Sequence, residues 1–140
     1  MKREWTEEVF RISDSQSFEA TALEIFRLQA AECPVYRKYL QLLGTDAGSI
    51  ADIFSVPFMP VAFFRDHSVF TGEGVPERVF TSSGTADMRR SHHHVKSLAL
   101  CNESLERAFR LFYGDPSGYA IMGLLPSYLE REGSSLIYMV

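Results

Sequence analysis

The sequence predicts an α/β fold with a helical N-terminal layer, and three observations carry that prediction. Apolar residues recur at helical spacing between residues 18 and 43. A strand ending at Val79-Phe80 opens into a hydroxyl-rich loop, from which Ser91-His92-His93-His94-Val95 returns as a second strand. A helix-spaced stripe at 98–112 is then followed by an almost uninterrupted apolar run, Tyr119-Ala120-Ile121-Met122-Gly123-Leu124-Leu125. Residues 1–55 read as helical and 56–140 as α/β, together the length of one domain.

The elements follow in order. The first helix runs from about Phe18 to Glu32, with Phe18, Ala22, Ile25, Phe26 and Ala30 on one face. Pro34 suits the first turn of a second helix bearing Val35, Tyr36, Tyr39, Leu40 and Leu43, and Gly44 ends it in the left-handed conformation. A short helix is expected over Ser49–Phe54. Pro57 and Pro60 then forbid a regular helix, so residues 56–64 read as an extended apolar connection leading to a short strand at Ser68–Phe70. Thr71–Pro76 is a loop on its glycine and proline content, and Ala86–Arg90 reads as a hairpin tip.

Ser97 caps a long helix whose stripe is Leu98, Cys101, Leu105, Ala108, Phe109 and Phe112, and Gly114 closes it. A strand, this helix and a buried strand over Tyr119–Leu125 predict a right-handed β-α-β crossover. Leu136–Val140 reads as the first turns of an apolar helix. A helix start apolar nearly all round needs a partner surface, and a parallel sheet of few strands needs cover on both faces. The expectation is therefore an incomplete fold, the N-terminal part of something larger.

Composition narrows the function classes. With 46% hydrophobic and 23% charged residues and no apolar stretch of spanning length, the expectation is a soluble chain with no membrane span. Acidic residues follow Met1–Trp5 in place of an apolar segment, so no secretory signal is expected and the address is cytoplasmic. A net charge of -4 with scattered basic residues argues against a nucleic-acid partner. Cys33 and Cys101 read as reduced structural thiols.

The chemistry-bearing feature is Thr81-Ser82-Ser83-Gly84-Thr85, four hydroxyl side chains and a glycine just past an apolar pair. Hydroxyl and backbone N–H donors there can point at phosphate oxygens, and Gly84 admits close backbone approach. Serine and threonine also crowd plain turns, so a loop without a ligand is the competing reading. His92 and His94 share a strand face suited to chelation, but no third ligand has a recognisable spacing, so no metal site is assigned. Neither a Gly-x-Ser-x-Gly elbow nor a Gly-Lys-Ser or Gly-Lys-Thr phosphate loop occurs, which argues against a serine hydrolase and a P-loop enzyme.

Several motifs in order resemble the acyl-protein synthetase family, also called long-chain-fatty-acid luciferin-component ligases, of the adenylate-forming superfamily. They are Pro57-Phe58-Met59-Pro60-Val61 with Phe63-Phe64, Phe80–Thr85, Ser91-His92, Leu124–Arg131, and Ser134-Ser135-Leu136, together covering the order and context of about two thirds of the chain. The resemblance implies the beginning of an adenylate-forming core. It also implies ATP-dependent activation of a carboxylic or fatty acid to an acyl adenylate, with Mg2+, and acyl transfer to a protein thiol or similar acceptor. Thr81, Ser82, Ser83, Gly84 and Thr85 match the superfamily's phosphate loop, with Arg89 or Arg90 as the nearest cation, and Tyr128 falls where relatives begin to line the acid pocket.

Departures from the family pattern matter too. Ala86 and Asp87 stand where relatives continue with threonine and glycine. An aspartate about 5 Å from a phosphate charge costs on the order of 3 kcal/mol at an effective dielectric near 20 unless a cation intervenes. The family's adenine, ribose, magnesium and lid motifs, and the acyl-accepting cysteine, have no counterpart in these residues. Two functions follow as alternatives: part of an acyl-activating ligase that is inactive as the isolated chain, or a non-catalytic remnant or interaction module of the same fold. Exposed apolar surface would make the isolated chain self-associate.

Overall fold

The computed structural model describes residues 5–82, 90–122 and 133–139, and for Trp5 and Thr6 the backbone only. The described residues fall into two compact units, one within 1–63 and 69–74, the other within 64–68 and 75–140.

The first unit is helical. Helix α1 (Trp5–Glu8) runs into a 3-10 turn at Val9–Arg11, and α2 spans Ser15–Glu32. Helix α2 begins three residues before the expected Phe18, because Asp14 and Ser17 form a reciprocal cap. The Asp14 carboxylate accepts from Ser17 N–H at 2.7 Å, and Ser17 Oγ accepts from Asp14 N–H at 3.2 Å. The Ser17 N–H bond holds the Asp14 carboxyl below its ordinary value. After extended Cys33, Pro34 opens α3 (Pro34–Leu42), and Gly44, at φ +68, ends it as expected.

Phe26, Ala30, Cys33, Tyr36 and Leu40 form the core between α2 and α3, and Val56, Met59 and Val69 pack against it. The Phe26 and Tyr36 rings meet edge to face at 6.1 Å. The proline-bounded segment forms neither helix nor strand over Pro57–Pro60, and two tyrosines fasten it. Tyr36 donates its hydroxyl to the Pro57 carbonyl at 2.6 Å, and Tyr39 donates to the Phe58 carbonyl at 3.2 Å.

Burial pushes the Tyr36 phenol above its ordinary value, with Tyr39 adding to the effect. An acid whose folded value is raised stabilises the fold fully below the unfolded value, near pH 10, and loses that contribution as pH rises past it and the unfolded chain ionises first. Tyr36→Phe is expected to lower unfolding free energy by about 1 kcal/mol at neutral pH and to flatten the loss of stability between about pH 9 and 11. Urea titrations across that range check both effects. A variant as pH-sensitive as the parent would remove Tyr36 as the cause.

Three details between residues 47 and 70 depart from the sequence reading. The short helix expected over Ser49–Phe54 is instead two 3-10 turns, Ala47–Ser49 and Ile53–Ser55. The carboxylates of Asp46 and Asp52 accept from Gly48 N–H and Phe54 N–H at 3.0 Å each, and these local bonds compete with a continuous helix. Past Pro60 the chain turns helical, in place of the expected extended connection. The Pro60 carbonyl accepts from Phe63 N–H at 3.0 Å and starts the single-turn helix α4 (Phe63–Asp66). Ser68–Phe70 is not a strand.

The second unit carries the hairpin. Strands β1 (Arg78–Thr81) and β2 (His92–Val95) pair antiparallel, with Arg78 opposite Val95, Val79 opposite His94, Phe80 opposite His93 and Thr81 opposite His92. Phe80 and Val95 are buried on one shared face.

Helix α5 spans Leu98–Tyr113. Its first N–H groups are satisfied twice: Glu77 accepts from Leu98 at 2.7 Å, and Ser97 accepts from Leu100 at 3.3 Å. Gly114, at φ +84, ends it as expected. On its outer surface Arg107 pairs with Glu103 at 2.6 Å and Arg110 with Glu106 at 2.7 Å, four residues apart in each case. Helix α6 (Ser135–Met139) packs Tyr138 on Phe80 at 5.1 Å, and Tyr138 donates to Asn102 of α5 at 2.7 Å. The Arg78 guanidinium lies 5.9 Å from the Phe80 ring and 6.0 Å from the Tyr138 ring.

The sheet is therefore small and antiparallel inside a helix-rich α/β chain, and among the described residues no β-α-β crossover forms. The buried strand expected over Tyr119–Leu125 is absent over Tyr119–Met122, where Met122 is 94% exposed, and positions 123–125 lie outside the described residues. A third strand needs a free ladder edge. The edge of β1 turned away from β2 is met at Thr81 by Gly133, not by residues 119–122. The α5 stripe is only half covered, since Leu98, Cys101, Leu105 and Phe109 are partly buried while Ala108 and Phe112 are exposed. An open groove of about 500 Å³ runs beside it, lined by Leu105, Phe109, Phe112, Ile121 and Met139.

Candidate functional site

The base of the hydroxyl-rich loop is built by three stretches of chain. Strand β1 delivers half-buried Thr81 and exposed Ser82 at its end. Ser91, just before β2, closes the hairpin reciprocally: its carbonyl accepts from Ser82 N–H at 3.1 Å, and its own N–H donates to Ser82 Oγ at 3.0 Å. Gly133 supplies the third side, its carbonyl accepting from Thr81 N–H at 2.8 Å.

This arrangement fits an anion in one definite respect. Ser82 Oγ is occupied as an acceptor, so its hydroxyl proton remains for donation. A donor held at a strand end by two backbone bonds is also pre-oriented, which a phosphate oxygen rewards. The structure thus places Thr81 and Ser82 together at the mouth of the hairpin. Ser83, Gly84, Thr85 and Arg89, with Ala86 and Asp87, lie outside the described residues, as does Tyr128. Arg90 is exposed next to Ser91.

The histidines divide by strand alternation. His93 meets the Phe64 ring edge to face at 6.1 Å, and His94 Nε2 lies 3.4 Å from Ser68 Oγ on the other face. His92 stands opposite Thr81 and is exposed. Among the described residues no group of three or more His, Cys, Asp or Glu side chains is placed to hold a metal ion. Cys33 is buried in the core of the first unit, and Cys101 is half-buried on α5.

Sequence reasoning missed Ser91 as the partner of Ser82, and Gly133 altogether. The hairpin reading contained the first, since a strand resuming at Ser91 forces that residue opposite Ser82. The second carried no signal beyond a glycine ahead of a helix, because its contact with β1 spans about fifty residues of chain.

Among the described residues no helix is long and apolar enough to cross a membrane. Compared with protein-family models, curated proteins and solved structures, the chain gives no match.

Proposed function

We propose that this chain is part of an ATP-dependent acyl-activating ligase, with the loop beginning at Thr81-Ser82 gripping the outer phosphates of ATP. The observation that carries the reading is the hairpin base: a strand end that presents Thr81 and Ser82, fastened by Ser91 and Gly133, just where the hydroxyl-rich run begins. The chemistry is that of the acyl-protein synthetases this sequence resembles. A carboxylate oxygen attacks the α-phosphorus of ATP, the bond to pyrophosphate breaks, and a thiol sulfur then takes the acyl group from the adenylate with release of AMP. Magnesium, held by parts of the ligase beyond these residues, would supply neutralisation of phosphate charge.

In this reading Thr81, Ser82, Ser83, Gly84 and Thr85 orient the leaving pyrophosphate, Arg89 adds a forked cation, and Tyr128 belongs to the acid pocket. The adenine-, ribose- and magnesium-binding parts come from further chain. The 140 residues alone are therefore inactive.

A second reading, a non-catalytic interaction module, is favoured by the open groove along α5, with Phe112 of its lining 75% exposed and Leu111 next to it 79% exposed. In that case the apolar face serves a protein surface, a second copy of the chain included.

One experiment separates the two. The coding frame is read past Val140, and the whole product is assayed for acid-dependent exchange of labelled pyrophosphate into ATP, with carboxylic acids of two to sixteen carbons as substrates. Exchange by the whole product and none by the 140-residue chain is the expected result. A stop codon directly after Val140, or a folded whole product without exchange on any acid, would overturn the ligase reading in favour of the module.

A further inference from the structure

We infer that Gly133 is a positioning residue for the phosphate loop, fixing Thr81 from the edge of β1 opposite β2. The inference rests on the phosphate reading of that loop. In an antiparallel pair successive N–H groups point to opposite edges of the strand. Ser82 N–H points into the hairpin, toward Ser91, so Thr81 N–H faces outward, and the Gly133 carbonyl receives it at 2.8 Å.

The approach is close enough that a side chain would crowd Thr81. A Cβ at position 133 would stand 3.2 Å from Thr81 Oγ1 and 3.7 Å from the Val79 carbonyl oxygen. The hydroxyl is the flexible partner, so it is the group that must move, by a few tenths of an ångström. Gly133 also sits at φ +97, a conformation L side chains rarely adopt. Glycine is therefore favoured on two counts, and one of them falls on the first hydroxyl of the loop.

The chain after Gly133 is anchored in turn. Tyr138 of α6 packs on Phe80 and donates to Asn102. β1 is thus held on one edge by β2 and met on the other by a residue tied to α5 through α6. Gly133 thus fixes the Thr81 backbone through its carbonyl, and its lack of a side chain leaves room for Thr81 Oγ1, while Gly133 itself offers no group to the ligand. Phosphoryl oxygens bind best to donors placed in advance, so displacing this hydroxyl weakens binding.

The test uses the 15N-labelled 140-residue chain and magnesium pyrophosphate as the probe, followed by amide NMR. Pyrophosphate is expected to shift the Thr81 and Ser82 amides, and Gly133→Ala is expected to weaken that binding at least fivefold. In Gly133→Ala the Thr81 amide should exchange at least tenfold faster, while Ser82, held by Ser91, stays within twofold. In a Thr81→Ala background, adding Gly133→Ala should change binding less than twofold, because no hydroxyl is left to displace.

Should Gly133→Ala fail to fold, the parent chain alone decides. Saturating pyrophosphate should slow Thr81 amide exchange at least threefold, and no slowing overturns the inference. No pyrophosphate-induced shift in the parent overturns the role of Gly133, while the phosphate reading itself stands or falls with pyrophosphate exchange by the whole product. Parent binding that Gly133→Ala weakens less than fivefold, or a full effect persisting without the Thr81 hydroxyl, overturns the role of Gly133 alone.

Discussion

Phe26→Ala is expected to lower unfolding free energy by about 3–5 kcal/mol, the largest stability loss of any single truncation in the helical unit. Phe26 is 4% exposed and lies where α2 faces α3, with Tyr36 edge-on to its ring and Ala30, Cys33 and Leu40 completing the cluster. Truncation removes both the transfer free energy of a buried ring and its contacts, and the surrounding side chains relax only partly into the void. Folded domains hold only about 5–15 kcal/mol in total, so the loss is a large share of the whole. Phe18, on the same helix, is the internal control: it is 51% exposed, and its truncation should cost less than about 1 kcal/mol. Urea denaturation followed by far-ultraviolet circular dichroism measures both. Equal losses for the two variants would mean the core does not lie between α2 and α3.

What could be read in the sequence depended on how local each signal was. Helices α2, α3 and α5 were legible because the apolar spacing, Pro34, Gly44, Ser97 and Gly114 each act within a turn or two of where they stand. The start of α2 is the exception: it falls three residues before the expected Phe18, because the cap formed by Asp14 and Ser17 was not read. The same locality misled where two local effects competed. Residues 49–54 have helical spacing, but Asp46 and Asp52 bind the N–H groups two positions on and break the run into 3-10 turns.

The expected strand at Tyr119–Leu125 failed over its first four residues for a different reason. An apolar run says that a segment can be buried, not that a ladder edge awaits it, and β1 spends its outward N–H at Thr81 on Gly133. The candidate site divides in the same way. The position of Thr81 and Ser82 at a strand end followed from the pattern around Val79-Phe80. The Gly133 contact depends on tertiary closure, which no local pattern encodes.

In the whole ligase of the proposed function, Ser83→Ala combined with Thr85→Ala is expected to reduce kcat/KM for ATP by about 10²-fold or more. A hydrogen bond to a charged phosphate contributes roughly 1.5–3 kcal/mol. Two such bonds would sum to about 3–6 kcal/mol if independent, and each 1.36 kcal/mol is tenfold in rate. Neighbours in one loop share their ligand and are not independent, so the lower end of that range is the expectation.

His93→Ala is the matched control, because its ring packs on Phe64 at 6.1 Å while its strand stays tied to β1. Losing that contact should lower the melting temperature and leave kcat/KM for ATP within about threefold. The two variants should therefore exchange order between the two measurements: His93→Ala is the greater in stability and the serine–threonine pair the greater in ATP use. Kinetics would be run well below both melting temperatures, with the acid saturating. Comparable losses of kcat/KM in the two variants would remove the phosphate role from the loop, since a hydroxyl donor to ATP and a packing histidine cannot contribute alike to nucleotide use.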